Sequence, residues 1–174
     1  METIDFTALE KFIYDERLLD ERSVHGLSHW HQVEFNGLLI ARATLADPVV
    51  VRLFALFHDS RRTSDGYDEE HGRFGAKYAL ELRGKHFELD DARFEKLFHA
   101  CENHTTEYAT GDPTIDTCYD ADRLDLGRVG ILPDPQKMAT AFGKKLARKL
   151  HDVPFERHRE WIQSFAEKNP GRLD

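Results

Sequence analysis

Cysteine is scarce in this 174-residue chain: only Cys101 and Cys118 occur, well separated and with no CxxC pair. That excludes a disulfide framework, and the default expectation is a reducing cytoplasm. Both read as small apolar core residues. Long apolar runs are also missing, and nothing approaches the ~20 residues that span a bilayer. The start, METIDFTALEKF, has neither a basic region nor a continuous apolar stretch, so no secretory signal is expected. An excess of positive charge is absent too: 24 Lys and Arg face 32 Asp and Glu, a net −8. A broad nucleic-acid surface needs a basic patch and is not expected. An anionic small substrate stays possible, because a metal ion and a few arginines can reverse the field locally. There is no GxxxxGK[ST] loop, no GxSxG elbow and no cysteine nucleophile motif. Repeats, low-complexity tracts and Gly/Ser linkers are lacking, and no stretch alternates long enough to suggest a sheet.

What is present is apolar residue at helical spacing. The apolar fraction of 40%, with 12 Phe, suffices for one core in a chain of this length. Phe6, Leu9, Phe12, Ile13 and Leu19 form one stripe. A second helix is expected to start at Ser28 as N-cap and to carry Val33, Leu38, Ile40 and Ala41. Asp47-Pro48 reads as an N-cap followed by proline at the first helical position. The segment VVVRLFALF that follows has the β-propensity of its valines, but the Asp-Pro start and the helical flanks favour a helix. Being apolar nearly all round, it is expected to be central. Further helices are expected over 68–83, 90–104, 114–126, 135–150 and 154–168, with turns at Gly66, Gly84, Gly111 and Pro133–Pro135. The fold class is all-α: one domain over 1–174, a bundle of about seven or eight helices.

His58-Asp59 ends the central apolar helix. An ionisable pair there costs on the order of several kcal/mol unless it has partners. A divalent metal is one partner, since neutral imidazole and carboxylate both ligate it. Asp59 pairing with Arg61 or Arg62 is the other reading, and on the dipeptide alone it is the better one. His151-Asp152 is a second such pair, but it follows the basic KKLARKL and precedes Val153-Pro154. Asp152 is expected to help start the last helix, with no ion site beside it.

Context separates the two pairs. Upstream of His58-Asp59 lies HGLSHWHQVEFNG, and downstream lies the acidic DADRLDLGRVG. A histidine, then His-Asp behind an apolar helix, then a distant aspartate in Ala-Asp-Arg-Leu resembles the H…HD…D signature of the HD superfamily of metal-dependent phosphohydrolases. The resemblance covers roughly 25–130, leaving 131–174 as helices that pack on the bundle or meet another subunit. It implies His29, His58, Asp59 and Asp122 as ligands of one divalent ion. His29 is preferred to His25 and His31 because the family histidine stands four residues before an apolar position, here Val33. Asp122 is preferred to Asp120 and Asp125 as the aspartate of Ala-Asp-Arg-Leu. Two His and two Asp suit manganese, iron, nickel, cobalt or magnesium better than structural zinc. His25 and His31 are expected to support the site, whereas His86, His99, His151 and His158 are read as ordinary surface or core residues.

The resemblance further implies that His71 and His104 hold substrate phosphates or, in some members, a second metal. In the loop SRRTSDGYDEEHG, Arg62 is the preferred phosphate contact and Arg61 the second choice. Asp65 and Asp68 are candidates for general acid or supporting roles. The Glu-Asp pair that guanosine tetraphosphate hydrolases carry shortly after His-Asp is absent, which argues against that substrate and leaves the acid unassigned. The expected function is hydrolysis of a phosphate ester or anhydride in a nucleotide or related small metabolite, with Arg62, Asp68, His71 and His104 as catalytic candidates. Two alternatives stay open. One is a two-iron oxygenase that enlists His71 and His104; the other is a nucleotide-binding signalling module without turnover.

Overall fold

The segment PVVVRLFALF forms α3 (Pro48–Phe57), and the rest of the bundle is arranged around it. The computed structural model describes residues 4–173. Asp47 caps α3 by accepting from the Val49 amide, Pro48 occupies its first turn, and all its residues from Val50 to Phe57 except Arg52 are buried. Against it pack α1 (Phe6–Asp15), α2 (Leu27–Thr44), α4 (His71–Leu82), α5 (Asp91–Asn103) and α6 (Pro113–Arg123). Each fully buried Leu, Val or Phe contributes about 1.5–3 kcal/mol. A smaller core forms where α7 (Ala141–Leu150) and α8 (His158–Lys168) cover Leu39 and Ile40 on the far side of α2. The C-terminal region thus packs on the bundle. No strand occurs among the described residues, only an isolated bridge between Arg83 and Phe87. None of the described helices is long and apolar enough to cross a membrane.

Three glycines let helices around α3 and α4 approach closely. A Cβ on Gly37 would lie 2.4 Å from Val51 Cγ1, so α2 rests directly on α3. On α4, Gly75 faces the Phe57 carbonyl and Gly72 faces the Cys101 carbonyl, where added Cβ atoms would sit at 2.3 and 2.5 Å. Helix α4 is thereby drawn against the C-terminal ends of both α3 and α5.

Several boundaries differ from expectation. Helix α1 stops at Asp15, and Leu18 beyond it is 53% exposed. Helix α2 is capped by Gly26, whose carbonyl accepts from the His29 and Trp30 amides; Ser28 lies inside the first turn. The expected 135–150 helix is broken into a 3₁₀ turn, Pro135–Lys137, and α7, because Met138 is extended and Thr140 caps a new start. Asp152 caps nothing: a 3₁₀ turn over Phe155–Arg157 leads into α8, and Arg157 holds the cap position.

Candidate metal centre

His58 terminates α3, and its Nδ1 donates to the carbonyls of Phe54 and Ala55, 3.1 and 3.2 Å away. A carbonyl only accepts, so the proton is on Nδ1 and the Nε2 lone pair is free. The same logic fixes three more imidazoles. His104, at the end of α5, donates Nδ1–H to Cys101 O at 2.8 Å. His71, at the start of α4, donates Nδ1–H to Asp68 O. His29, in the first turn of α2, donates Nδ1–H to Asp125 Oδ2 at 2.8 Å. All four rings are buried, and their Nε2 atoms converge around Asp59.

The convergence has two halves. In the first, His29 Nε2 and His58 Nε2 are 3.1 Å apart. His29 Nε2 lies 3.4 Å from Asp59 Oδ2 and 3.3 Å from Asp122 Oδ1. His58 Nε2 lies 3.6 and 3.8 Å from the same two oxygens. Ligands about 2.1 Å from one ion stand ~3.0–3.4 Å from each other in octahedral or tetrahedral geometry, so the set is close to the size of such a site. In the second half, Asp59 Oδ1 faces His71 Nε2 at 3.2 Å and His104 Nε2 at 3.9 Å, and those two nitrogens are 3.1 Å apart. Three groupings of these side chains can hold a metal ion: His29, His58 and Asp122; Asp59, His71 and His104; and His25, His29 and Asp59. The donor set, with the Nε2 atoms turned inward, fits a divalent cation.

The charges of the ion-free chain point the same way. Burial opposes protonation of His29, but Asp122, Asp125 and Asp59 outweigh it and raise its pKa to about 10. Burial pushes His58 down to about 3 against the pull of Asp59 and Asp122. Protonated His29 therefore donates to neutral His58. Burial disfavours the charged forms of Asp59 and Asp122, yet the surrounding imidazoles hold both carboxylates below their usual range. Burial also lowers His71. The His29 proton helps to stabilise this nest of carboxylates, and a cation can take over that role.

The remaining site candidates sort by contact. Arg62 reaches the second half: its Nη1 is 3.4 Å from Asp59 Oδ1 and 3.1 Å from His71 Nε2. The Asp68 carboxylate is turned away, accepting from the Thr63 amide and hydroxyl at 2.8 and 2.9 Å; only its carbonyl serves the cluster, through His71. Asp65 accepts from Ser23, and Arg61 donates to Glu16 O. His25 stands 2.8 Å from Asp59 Oδ2, as a supporting residue should. His31 does not support the site: it is exposed and pairs with Glu10. His86 stacks on Phe12, His99 pairs with Glu107, and His151 and His158 bond to Pro133 O and Val153 O. Asp120 holds the start of α7 through Ala139 and Thr140.

Asp125, set aside as a ligand in favour of Asp122, has a role that sequence reasoning did not assign: it holds the His29 ring. It stands three residues after Asp122, a spacing that shares a helix face and could have drawn attention. Arg159, which forks onto Asp125, lies in α8 and gave no local signal. Asp122 is the most open member of the first half, 18% exposed, and marks the side from which solvent reaches it.

No protein-family model matches the chain, and no curated protein matches it. Among solved structures it is similar to a predicted HD superfamily hydrolase from an uncultured Thermotogales bacterium. The two are 26% identical over 97% of this chain and 95% of that one, with a TM-score of 0.68. The chain therefore has the all-helical fold of the HD superfamily, with clustered histidines and aspartates consistent with an HD-type metal site.

Proposed function

We propose that the chain is a metal-dependent hydrolase acting on phosphate esters or anhydrides of nucleotides or related small metabolites. One observation carries this reading: four buried imidazoles, each with Nδ1–H committed to an acceptor, aim Nε2 at the carboxylates of Asp59 and Asp122. His29, His58, Asp59 and Asp122 would hold the ion, which is manganese, iron, nickel, cobalt or magnesium by donor chemistry. When bound, a divalent ion supplies Lewis acidity, lowering the pKa of a water and polarising a phosphoryl oxygen. The similarity to a predicted HD superfamily hydrolase supports hydrolysis in general.

Arg62, His71 and His104 sit together on the Asp59 Oδ1 side, where they can neutralise charge building on a phosphoryl group. Two loop carbonyls, of Ser64 and Gly66, accept from Arg62 and fix the fork's orientation. Asp68 serves as general acid only if its carboxylate leaves Thr63. The net charge of −8 disfavours polyanions, while the inner site presents cationic donors to a small one.

A second reading, a two-ion centre as in an oxygenase, is favoured by the Asp59, His71 and His104 group. The Arg62 guanidinium weighs against it, because it already supplies the positive charge beside Asp59 Oδ1. The deciding experiment replaces Asp59 by Ala and follows metal content together with turnover on a panel of phosphorylated metabolites. Loss of both is expected. Full metal occupancy with unchanged turnover would sink the assignment, and two irons per chain without hydrolysis would favour the oxygenase.

A further inference from the structure

We propose that Arg159, on the C-terminal helix α8, is a positioning residue for the metal centre that fixes the His29 imidazole through Asp125. The proposal rests on the metal reading above. Arg159 Nε donates to Asp125 Oδ1 at 2.8 Å and its Nη2 donates to Asp125 Oδ2 at 2.7 Å. That same Oδ2 accepts from His29 Nδ1 at 2.8 Å. The third donor of the guanidinium, Nη1, reaches Ser28 Oγ at 2.7 Å. One arginine thus grips both the carboxylate that His29 leans on and the residue just before His29.

The physical consequence is directional. A planar fork on a carboxylate sets its plane as well as its place. Asp125 is buried, and Arg159 offsets its charge. With its plane fixed, Asp125 holds the Nδ1–H tautomer of His29, keeps Nε2 aimed at Asp59 and Asp122, and makes that nitrogen a better donor to a cation. Arg128 is no substitute: its Nε stands 3.9 Å from Asp125 Oδ2, and it donates instead to the carbonyls of Val24 and Asp125. Arg159 is itself 34% exposed, so its removal leaves no large void. The docking of α8 has a separate source in Ile162, buried in the smaller core.

The test uses the full-length chain and measures manganese affinity by chelator competition, beside the melting temperature of the metal-free protein. Arg159→Ala should weaken manganese binding by about 10–100-fold, the usual cost of losing an outer partner of a metal-bound histidine. Arg159→Lys should recover part of that loss, because it keeps the charge without the fork. Ile162→Ala loosens α8 without touching Asp125; it should lower the melting temperature while leaving affinity within about threefold of the parent. Unchanged affinity in Arg159→Ala would overturn the proposal. So would an equal loss in Ile162→Ala, which would make Arg159 a fastener of α8 and nothing more. If the parent chain bound no manganese, cobalt, nickel, iron or magnesium, the metal reading itself would fail, an outcome distinct from either.

Discussion

The Nε2 atoms of His29 and His58 lie 3.1 Å apart, brought together from the first turn of α2 and the last of α3. Two imidazole nitrogens at that distance need a proton or a cation between them. Replacing either histidine by Ala should therefore weaken divalent-metal binding more than the ~10–100-fold expected for an outer partner. His151→Ala, in the second His-Asp pair, should change nothing, because the His151 ring bonds to Pro133 O and to none of the clustered histidines or aspartates. Chelator competition on the three variants checks this. Equal affinity in His58→Ala and the parent would remove His58 from the ligand set.

Gly75 links packing to the site. A Cβ there would lie 2.3 Å from the Phe57 carbonyl oxygen and 3.1 Å from that of His58, both backbone atoms that cannot swing aside. Gly75→Ala must push α4 outward, carrying His71 away from Asp59. A destabilisation of about 1–3 kcal/mol is expected, as for other overpacked sites. Gly66→Ala, whose nearest neighbour would be Ser64 Oγ at 3.4 Å, should be close to neutral. Urea melts of both variants decide it, and equal midpoints would show that α4 is not pressed on α3.

Much of this was readable from local chemistry. Asp47-Pro48 announced α3, its unbroken apolar run announced that it is central, and the His-Asp pair at its end is where the cluster forms. Asp122 was reached through the family resemblance, and it does face His29. What was missed depends on distance along the chain. The Arg159 fork joins residues 34 apart, and periodicity within a helix carries no trace of such a pair. The Asp68 carboxylate is engaged for the opposite reason: the loop closes on itself through Thr63, a choice that composition does not reveal.

Acid should loosen the helix that carries Asp122. Asp112 caps α6 by accepting from the Thr114 and Ile115 amides, and its carboxylate pairs with Lys96 at 2.7 Å. Partial burial opposes ionisation, but Lys96 and the two amides prevail and lower the pKa. A depressed carboxylate pKa stabilises the fold above the unfolded-state value, about 3.9, and the contribution is lost as pH falls through the folded-state value. Asp112→Asn keeps a capping oxygen and loses the ion pair. Its deficit against the parent should be largest near neutral pH and shrink below about pH 4. Melting temperatures across that range test it, and a deficit that grows toward acid would reverse the sign and refute the pairing.

Arg62 separates phosphate binding from metal binding. Its Nε and Nη2 are committed to the carbonyls of Ser64 and Gly66, which leaves Nη1 facing Asp59 and His71. Removing it takes away a cation from the site and no ligand atom. Arg62→Ala should therefore keep its metal affinity, or gain some, because Asp59 loses a competing positive charge. Turnover of a phosphorylated substrate should fall by about 10–100-fold, the worth of one hydrogen bond to a charged group at roughly 1.5–3 kcal/mol. Arg62→Lys should recover little, since an ammonium cannot satisfy two loop carbonyls in the same plane and still present a donor inward. Steady-state kinetics at matched metal content distinguish the cases. If Arg62→Ala lost metal in step with activity, Arg62 would be holding Asp59 in place for the ion, with no part in binding phosphate.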